Sequence, residues 1–229
     1  MLKYFVYMAM GISSKEIESF GAASAPYGVS YGQWTVKWWK WFLSTPKSIN
    51  PVLDSSGERA SVNQPPSDVW FLGGKLGDQN LNMPSRSCVV PAGRSILIPV
   101  INCEANSLEY PELRTYQDLR QHVRNDEDTI VKKECFVNRA PMLVQRVESE
   151  PTIFEIRLPE SNVINVRGGV STLASGDGYW VFLKPLPRGK YTISFSGSCE
   201  KGRLNSGANY NLEVLEQEVF ENHRPKGSL

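Results

Sequence analysis

The chain has 229 residues, of which 41% are hydrophobic and 21% charged. This composition suits a folded chain with a sizeable core and excludes one that is disordered throughout. Lysine and arginine number 25 against 24 acidic residues, and no basic stripe is present, which argues against nucleic acid as a partner. No apolar run reaches the roughly 18 residues that a membrane-spanning helix needs, so we expect no transmembrane segment.

Residues 1–26 are predicted to form a leader or an N-terminal arm. The segment begins with one lysine and a short apolar stretch, and ASA at 23–25 has the pattern of a signal-peptidase site. Lys15, Glu16 and Glu18 interrupt the path to that site, so the alternative is a strand or helix that stays on the protein. On balance the sequence favours secretion or the cell envelope over the cytoplasm.

An aromatic helix is predicted over residues 31–44. Ser30 and Gln33 have the spacing of a capping box at its start. Aromatic residues recur at helical spacing on one face, and these are Trp34, Trp38, Trp41 and Phe42. We expect this face to pack against the core, whereas Trp39 points away from it and should be the most exposed ring.

The remainder of the chain reads mainly as strands. From residue 68 onward, short period-two segments alternate with turns, and only residues 111–125 read as a second helix. The predicted fold is mainly β: an antiparallel β-sandwich, jelly-roll-like, with a Trp-rich N-terminal helix and one further helix. We expect a single domain over residues 27–216 and a tail over 217–229.

Two motifs carry a resemblance to a known family. The segment YGxSYxxWxxxWWxW begins at Tyr27, and the hairpin LPxGxYTI begins at Leu186. With these motifs, most of residues 27–215 resembles an uncharacterised microbial family of exported-type proteins. Because that family has no assigned activity, the resemblance implies no catalytic residues. Its members have clear signal peptides, and the N-terminus of this chain departs from that pattern.

Four cysteines lie far apart in the sequence without metal-binding spacing: Cys88, Cys103, Cys135 and Cys199. An even number permits two disulfides in any of three connectivities, and the alternative is four buried thiols. For an exported protein we expect at least one disulfide.

Several patterns suggest chemistry. Residues 28–32 match G-x-S-x-G formally, but a helix cap explains Ser30 better than a hydrolase nucleophile does. Glu104, and Asp177 in a predicted turn over residues 175–178, are candidate calcium ligands, and no other cofactor is expected. Five aromatic residues form a candidate ligand-binding platform, although aromatic stripes usually belong to a core: Trp38, Trp39, Trp41, Tyr179 and Trp180.

Three functions follow as hypotheses. The first is a non-catalytic binding or structural module of the cell envelope or of an assembly, with a glycan or a protein as partner. The second is a polysaccharide-acting hydrolase, and the third is a self-assembling jelly-roll coat subunit, which would be a homo-oligomer. A pocket that holds two or more ionisable groups with perturbed pKa values would argue against the first hypothesis.

Overall fold

The structure is a computed structural model that describes residues 17–200 and 204–223. The first part of the predicted leader and the last part of the predicted tail lie outside the described residues. None of the described helices has the length and apolar character needed to cross a membrane.

The described chain is mainly β, with ten strands and three α-helices. The strands are β1 (Val69–Phe71), β2 (Ser85–Pro91), β3 (Ser95–Asn106), β4 (Ile130–Val137), β5 (Ala140–Pro141), β6 (Gln145–Arg146), β7 (Phe154–Arg157), β8 (Ser171–Leu183), β9 (Gly189–Cys199) and β10 (Asn205–Leu215). The helices are α1 (Tyr31–Ser44), α2 (Tyr116–Asp128) and α3 (Gln217–His223).

The strands form two mixed sheets. In the first sheet the order is β1-β3-β8-β6, with β7 also paired to β8, and in the second it is β2-β10-β9-β4-β5. β1 pairs with β3, and β2 with β10, in parallel, while the other pairs are antiparallel. The prediction of an antiparallel fold is therefore correct for most strand pairs but not for these two, which make both sheets mixed. After β1 the chain crosses to the second sheet, where it forms β2. It then returns to the first sheet as β3, which runs parallel to β1.

One apolar layer contains residues of both sheets. On β9, Ile193 and Phe195 point into this layer while Ser194 and Ser196 alternate with them on the other face, as the period-two pattern predicts. Ile98, from β3 of the first sheet, belongs to the same buried cluster. The layering is thus sandwich-like, whereas the jelly-roll connection of the strands stays a prediction.

Helix α1 covers the opposite face of the first sheet. Its capping box is present, because the Gln33 amide donates to Ser30 Oγ over 3.1 Å and the Ser30 amide donates to Gln33 Oε1 over 3.0 Å. Only a narrow stripe of the helix is exposed, and it consists of Gln33, Lys37, Lys40 and Ser44.

The prediction that Trp39 is exposed was wrong, since its side chain is only 5% exposed. Ile156 of the first sheet and Leu158 just after it join the same buried cluster as the aromatic side chains of α1, and so do Val52 and Val163, which lie outside both sheets. Protein therefore covers α1 on more than one side. Such a helix is apolar around most of its circumference, which a single-stripe interpretation misses.

Helix α2 begins at Tyr116, later than the predicted Pro111. Thr115 forms a capping box with Asp118, because the Asp118 amide donates to Thr115 Oγ1 over 3.1 Å and the Thr115 amide donates to Asp118 Oδ2 over 2.8 Å. Leu119 and Val123 then bury one side of α2 beside the end of β3.

Both ends of the described chain pack on this framework. The Phe20 amide donates to the Phe182 carbonyl over 2.8 Å, so the described end of the predicted leader extends the first sheet. In the predicted tail, α3 places Phe220 against Trp70, with ring centroids 5.7 Å apart.

Candidate functional site

A cavity of about 440 Å³ lies beside β3. β1 pairs only with Ser95–Leu97, and among the described residues no strand pairs with that edge of β3 beyond Leu97. The cavity reaches this part of β3 through Pro99, Asn102, Cys103 and Glu104. Its other walls come from α1, the segment 74–77, the turn after β3, the end of α2 and the starts of β4 and β10.

A β-bulge sets the direction of the β3 side chains at the cavity. Pro99 pairs with Trp180 and Ile101 with Tyr179 on β8, so Val100 is an extra residue in β3. Proline lacks the N–H that a regular ladder requires, and bulges are common where it occurs. Beyond the bulge the register is regular, and every second residue of β3 shares a face.

Beyond the bulge, three polar residues share one face of β3: Asn102, Glu104 and Asn106. Their partners on β8 are small, with Gly178 opposite Asn102 and Gly176 opposite Glu104. The glycines leave room above the sheet for the polar side chains of β3 and for α1.

Asn106 holds two carboxyl groups with one amide. Its Nδ2 donates to Glu104 Oε1 over 3.2 Å and lies 3.4 Å from Glu109 Oε2. Asn106 is fully buried, and its Oδ1 accepts hydrogen bonds from the Leu108 and Glu109 amides at 3.0 and 3.1 Å. The turn after β3 is thereby fixed so that Glu109 returns towards Glu104.

The two carboxyl groups are poor acids in this setting. Burial, followed by the nearby charge of Glu109, raises the pKa of Glu104 to about 8. Burial also raises the pKa of Glu109. Lys75 is the single lysine or arginine among the described residues that line the cavity, and its ammonium group already binds Asp78 and the Asn80 carbonyl. At neutral pH Glu104 therefore keeps its proton.

A third carboxyl group, that of Glu127 on α2, lines the same cavity from the face of β3 that carries Cys103, opposite to the face that carries Glu104. Glu127 is only 1% exposed, and its Oε2 finds no hydrogen-bond partner among the described residues. Burial and the neighbouring Asp177 raise its pKa well above the usual range. Arg146 does not relieve it by a hydrogen bond, since its guanidinium donates to Asp177 and Asp128.

Aromatic rings form another wall, contributed by Trp38, Trp39, Phe42 and Tyr110. Trp38 Nε1 donates to the Leu72 carbonyl over 2.7 Å, which fixes that ring. Trp39 packs edge-on against Trp38 with centroids 5.0 Å apart, and its Nε1 has no hydrogen-bond partner in the described part of the chain. The cavity thus combines ring surfaces with carboxyl groups.

Four of the five rings of the predicted aromatic platform belong to one buried cluster. The Trp38 ring contacts the other three, with centroid distances of 5.0 Å to Trp39, 6.0 Å to Trp41 and 5.4 Å to Trp180. Trp38 and Trp39 line the cavity. Trp41 donates from Nε1 to the Val62 carbonyl over 3.0 Å, and Trp180 is fully buried beneath α1. Tyr179 is partly buried with Lys133 Nζ 4.5 Å from its ring centroid. The structure therefore brings four of the five rings together as part of the core and leaves Tyr179 apart.

The two predicted calcium ligands are also separated. Glu104 pairs with Gly176 and Asp177 pairs with Cys103, so strand alternation places the two carboxyl groups on opposite faces of the first sheet. Asp177 is 2.7 Å from Arg146 in a buried ion pair. Within residues 17–200 and 204–223 no group of three or more potential ligands has a metal-binding arrangement. The prediction of a turn over residues 175–178 was wrong, because these residues form the middle of β8.

The disulfide prediction was wrong, since all four cysteines lie in the described part of the chain and are free thiols. Cys88 and Cys135 pack as small apolar side chains around the layer between the sheets, and burial raises the pKa of both to about 12. Cys103 and Cys199 line the cavity, where Cys103 Sγ donates to Asp126 Oδ2 over 3.4 Å and Cys199 Sγ accepts from the Leu204 amide over 3.1 Å. Each of the four thiols therefore makes its own contacts, and none is bonded to another cysteine.

Ser30 of the G-x-S-x-G match acts as a helix cap. Its hydroxyl accepts from the Gln33 amide and donates to the Glu150 carboxylate, and neither neighbour is a histidine. The hydrolase interpretation of this motif has no support from these contacts.

Glu104 was predicted as a site residue, but the polar residues around it were not. Asn102, Glu104 and Asn106 place a polar residue at every second position of a strand that is otherwise apolar, and buried polar groups need a structural or chemical reason. Gly176 and Gly178 repeat with the same period in the partner strand, which is a signal of close approach. Read together, these two patterns predict the site.

No protein-family model, no curated protein and no solved structure matches this chain. The geometry of the cavity is therefore the basis for a functional proposal.

Proposed function

We propose that the protein is an enzyme that binds a small organic molecule in this cavity and exchanges a proton with it through the carboxyl group of Glu104. The observation that carries the proposal is the pair formed by Glu104 and Glu109 on the amide of Asn106, inside a cavity with aromatic walls. A pocket that holds carboxyl groups with raised pKa values is a candidate active site.

The pair supports a division of labour in acid–base chemistry. Glu104, protonated at neutral pH, donates a proton to the oxygen or nitrogen atom of a bound molecule. Glu109 is more exposed than Glu104 and accepts a proton from the molecule or from water. A positioned acid or base of this kind accelerates a reaction by about 10²–10⁴-fold. Asn106 is a positioning residue in this scheme, because it holds both carboxyl groups.

The polysaccharide-acting hydrolase is the second candidate. Glycoside hydrolysis uses two carboxyl groups, and tryptophan rings pack against sugars, so Glu104, Glu109 and Trp39 support it. The cavity has the size of a small-molecule site, which favours a sugar unit at a chain end over the interior of a polymer. In the non-catalytic binding module, the same cavity would hold its ligand without proton transfer.

The coat subunit and the exported compartment remain proposals with less support. The coat-subunit hypothesis depends on a jelly-roll connection of the strands and on self-assembly, and the cavity requires neither. Secretion or a place in the cell envelope would have gained support from disulfides, and the four free thiols withdraw that support.

The test is a thermal-shift screen of a small-metabolite library against the wild-type protein, E104Q and E155Q. Glu155 is an exposed residue of β7 and provides the matched control. We expect compounds that raise the Tm of the wild-type protein and of E155Q by saturable binding, and that protect E104Q much less. A library without saturable binders, or binders that protect E104Q as well as the wild type, would overturn the proposal.

A further inference from the structure

We infer that the ligand of this cavity carries an organic cation, such as a protonated amine or a quaternary ammonium group, bound between the carboxyl groups and the ring faces. This inference rests on the proposed ligand-binding function and adds the class of ligand to it.

The charge balance of the cavity is the first argument. Four carboxyl groups line it, from Glu104, Glu109, Asp126 and Glu127. Lys75 is the one basic side chain among the described lining residues, and Asp78 already neutralises it. A buried carboxylate without a cation is costly, so burial raises the pKa values of Glu104 and Glu127 and these two groups hold their protons more tightly, whereas Glu109 and Asp126 are exposed. A bound cation would replace those protons, whereas an anion would add to the repulsion.

Glu127 gives an independent argument. Its carboxyl group is almost completely buried and reaches the cavity, yet Oε2 has no partner among the described residues. Arg146, whose charge lowers the pKa of Glu127, is bound to two aspartates, Asp128 and Asp177. An unpartnered buried acceptor at a cavity wall calls for a donor from the ligand, and a protonated amine supplies one from its N–H groups, as choline does from the hydroxyl group beside its charged nitrogen.

The aromatic wall suits the same ligand. Trp39, Tyr110 and Phe42 line the cavity with the carboxyl groups, and ring faces attract cations, above all methylated ammonium groups. Acidic groups beside several rings form the usual recognition site for such ions. A divalent metal ion fits less well, because the described residues offer no arrangement of three or more ligands.

Binding of a cation is coupled to loss of a proton from Glu104. As the pH rises towards the Glu104 pKa of about 8, a smaller fraction of the protein molecules carries the proton that the cation displaces. The affinity for the cation therefore rises with pH and levels off once Glu104 is ionised. The other titratable groups that line the cavity are Lys75, Cys103, Glu109, Tyr110, Asp126, Glu127 and Cys199. His122 of α2 lies behind this wall, with its ring 4.5 Å from the Tyr110 ring and its Nε2 3.6 Å from Asp126 Oδ2.

The experiment is isothermal titration calorimetry with choline and with its uncharged carbon analogue, in which a quaternary carbon replaces the nitrogen. We expect choline affinity to rise about tenfold between pH 6 and pH 7 and to level off above pH 8. Titrations at pH 7 in two buffers of different ionisation enthalpy should show release of about one proton. The uncharged analogue should bind at least about tenfold more weakly and without this pH dependence.

Variants and controls keep the outcome decisive. E104Q should lose the pH dependence of choline binding, whereas E155Q should retain it, and proton release by the wild-type protein is measured without any variant. Equal binding of the analogue, or choline binding that does not change with pH, would overturn the inference. If neither binds but glucose or another library compound protects the wild type and not E104Q, the cation inference fails and the proposed function stands. If nothing binds, both fail.

Discussion

Trp39 of α1 lies against Gly176, the β8 residue that pairs with Glu104 across the first sheet. A Cβ atom at position 176 would lie 2.6 Å from Trp39 Nε1 and 2.9 Å from Ser149 Oγ. The bare backbone at this position thus lets the aromatic helix approach the sheet closely enough to form one wall of the cavity. The packing of α1 on the first sheet and the shape of the cavity therefore both depend on the absence of a side chain at Gly176.

Substitution of Gly176 by alanine should force Trp39 out of its place. Overpacking of this kind costs about 1–3 kcal/mol in the free energy of unfolding, which urea denaturation measures. Gly21→Ala is the matched control, because a Cβ atom there has nothing within 4 Å. A Gly176→Ala protein as stable as the Gly21→Ala protein would show that this contact is not tight.

Glu104→Gln should stabilise the protein at high pH and leave it unchanged at low pH. The folded-state pKa of Glu104 is about 8, and its ordinary value is near 4.5, so the unfolded chain loses this proton first. Between these values rising pH favours the unfolded state, and the full penalty is present above pH 8. Because part of the side chain reaches the cavity, we expect a gain of about 1–3 kcal/mol at pH 9 and none at pH 4.

Scans of Tm against pH for the wild type, E104Q and E155Q measure this effect. The difference between the wild type and E104Q should open as the pH rises through the range from 5 to 8. A difference that is constant at every pH would point to a change of packing rather than to the buried carboxyl group.

Arg86→Lys should destabilise the protein strongly although it keeps the charge. The guanidinium is 2% exposed and donates to the carbonyls of Val52, Asp54 and Gly73 at 2.8, 2.6 and 2.5 Å and to the Tyr210 hydroxyl at 3.0 Å. A lysine ammonium cannot reach all of these acceptors, and we expect a loss of about 2–4 kcal/mol by urea denaturation. The exposed Arg59, substituted in the same way, should change stability by less than about 0.5 kcal/mol.

Alkylation with iodoacetamide tests the state of the cysteines. After denaturation without a reducing agent, mass spectrometry should find four alkylated cysteines per chain, because all four are free thiols. Without denaturant the reaction should be slow, since burial keeps Cys88, Cys103 and Cys135 protonated. Two or no labelled residues in the denatured protein would reveal disulfides.

What the sequence predicts well is local. The cap at Ser30 and Gln33 depends on neighbours in the chain, and so does the alternation of Ile193 and Phe195 on β9. These signals are complete within a few residues. For that reason a single sequence is enough to identify them.

The features that were missed depend on partners far away in the sequence. Nothing near Val69 indicates that β1 will pair in parallel with β3, and nothing near Trp39 indicates that residues 156–158 will help to cover α1. The cavity arises where β1 stops short and the bulge at Val100 turns the β3 side chains, so it depends on the register between strands. Single-sequence patterns carry little information on that register.

The central claim is that Glu104 is held protonated at neutral pH in a ligand-binding cavity. Carbon-13 NMR of the glutamate side-chain carboxyl groups, titrated from pH 4 to pH 10 and assigned with E104Q, measures this most directly. The structure predicts a titration midpoint of about 8 for Glu104. A midpoint near the ordinary value of 4.5 would contradict the claim and remove the basis for acid chemistry at this site.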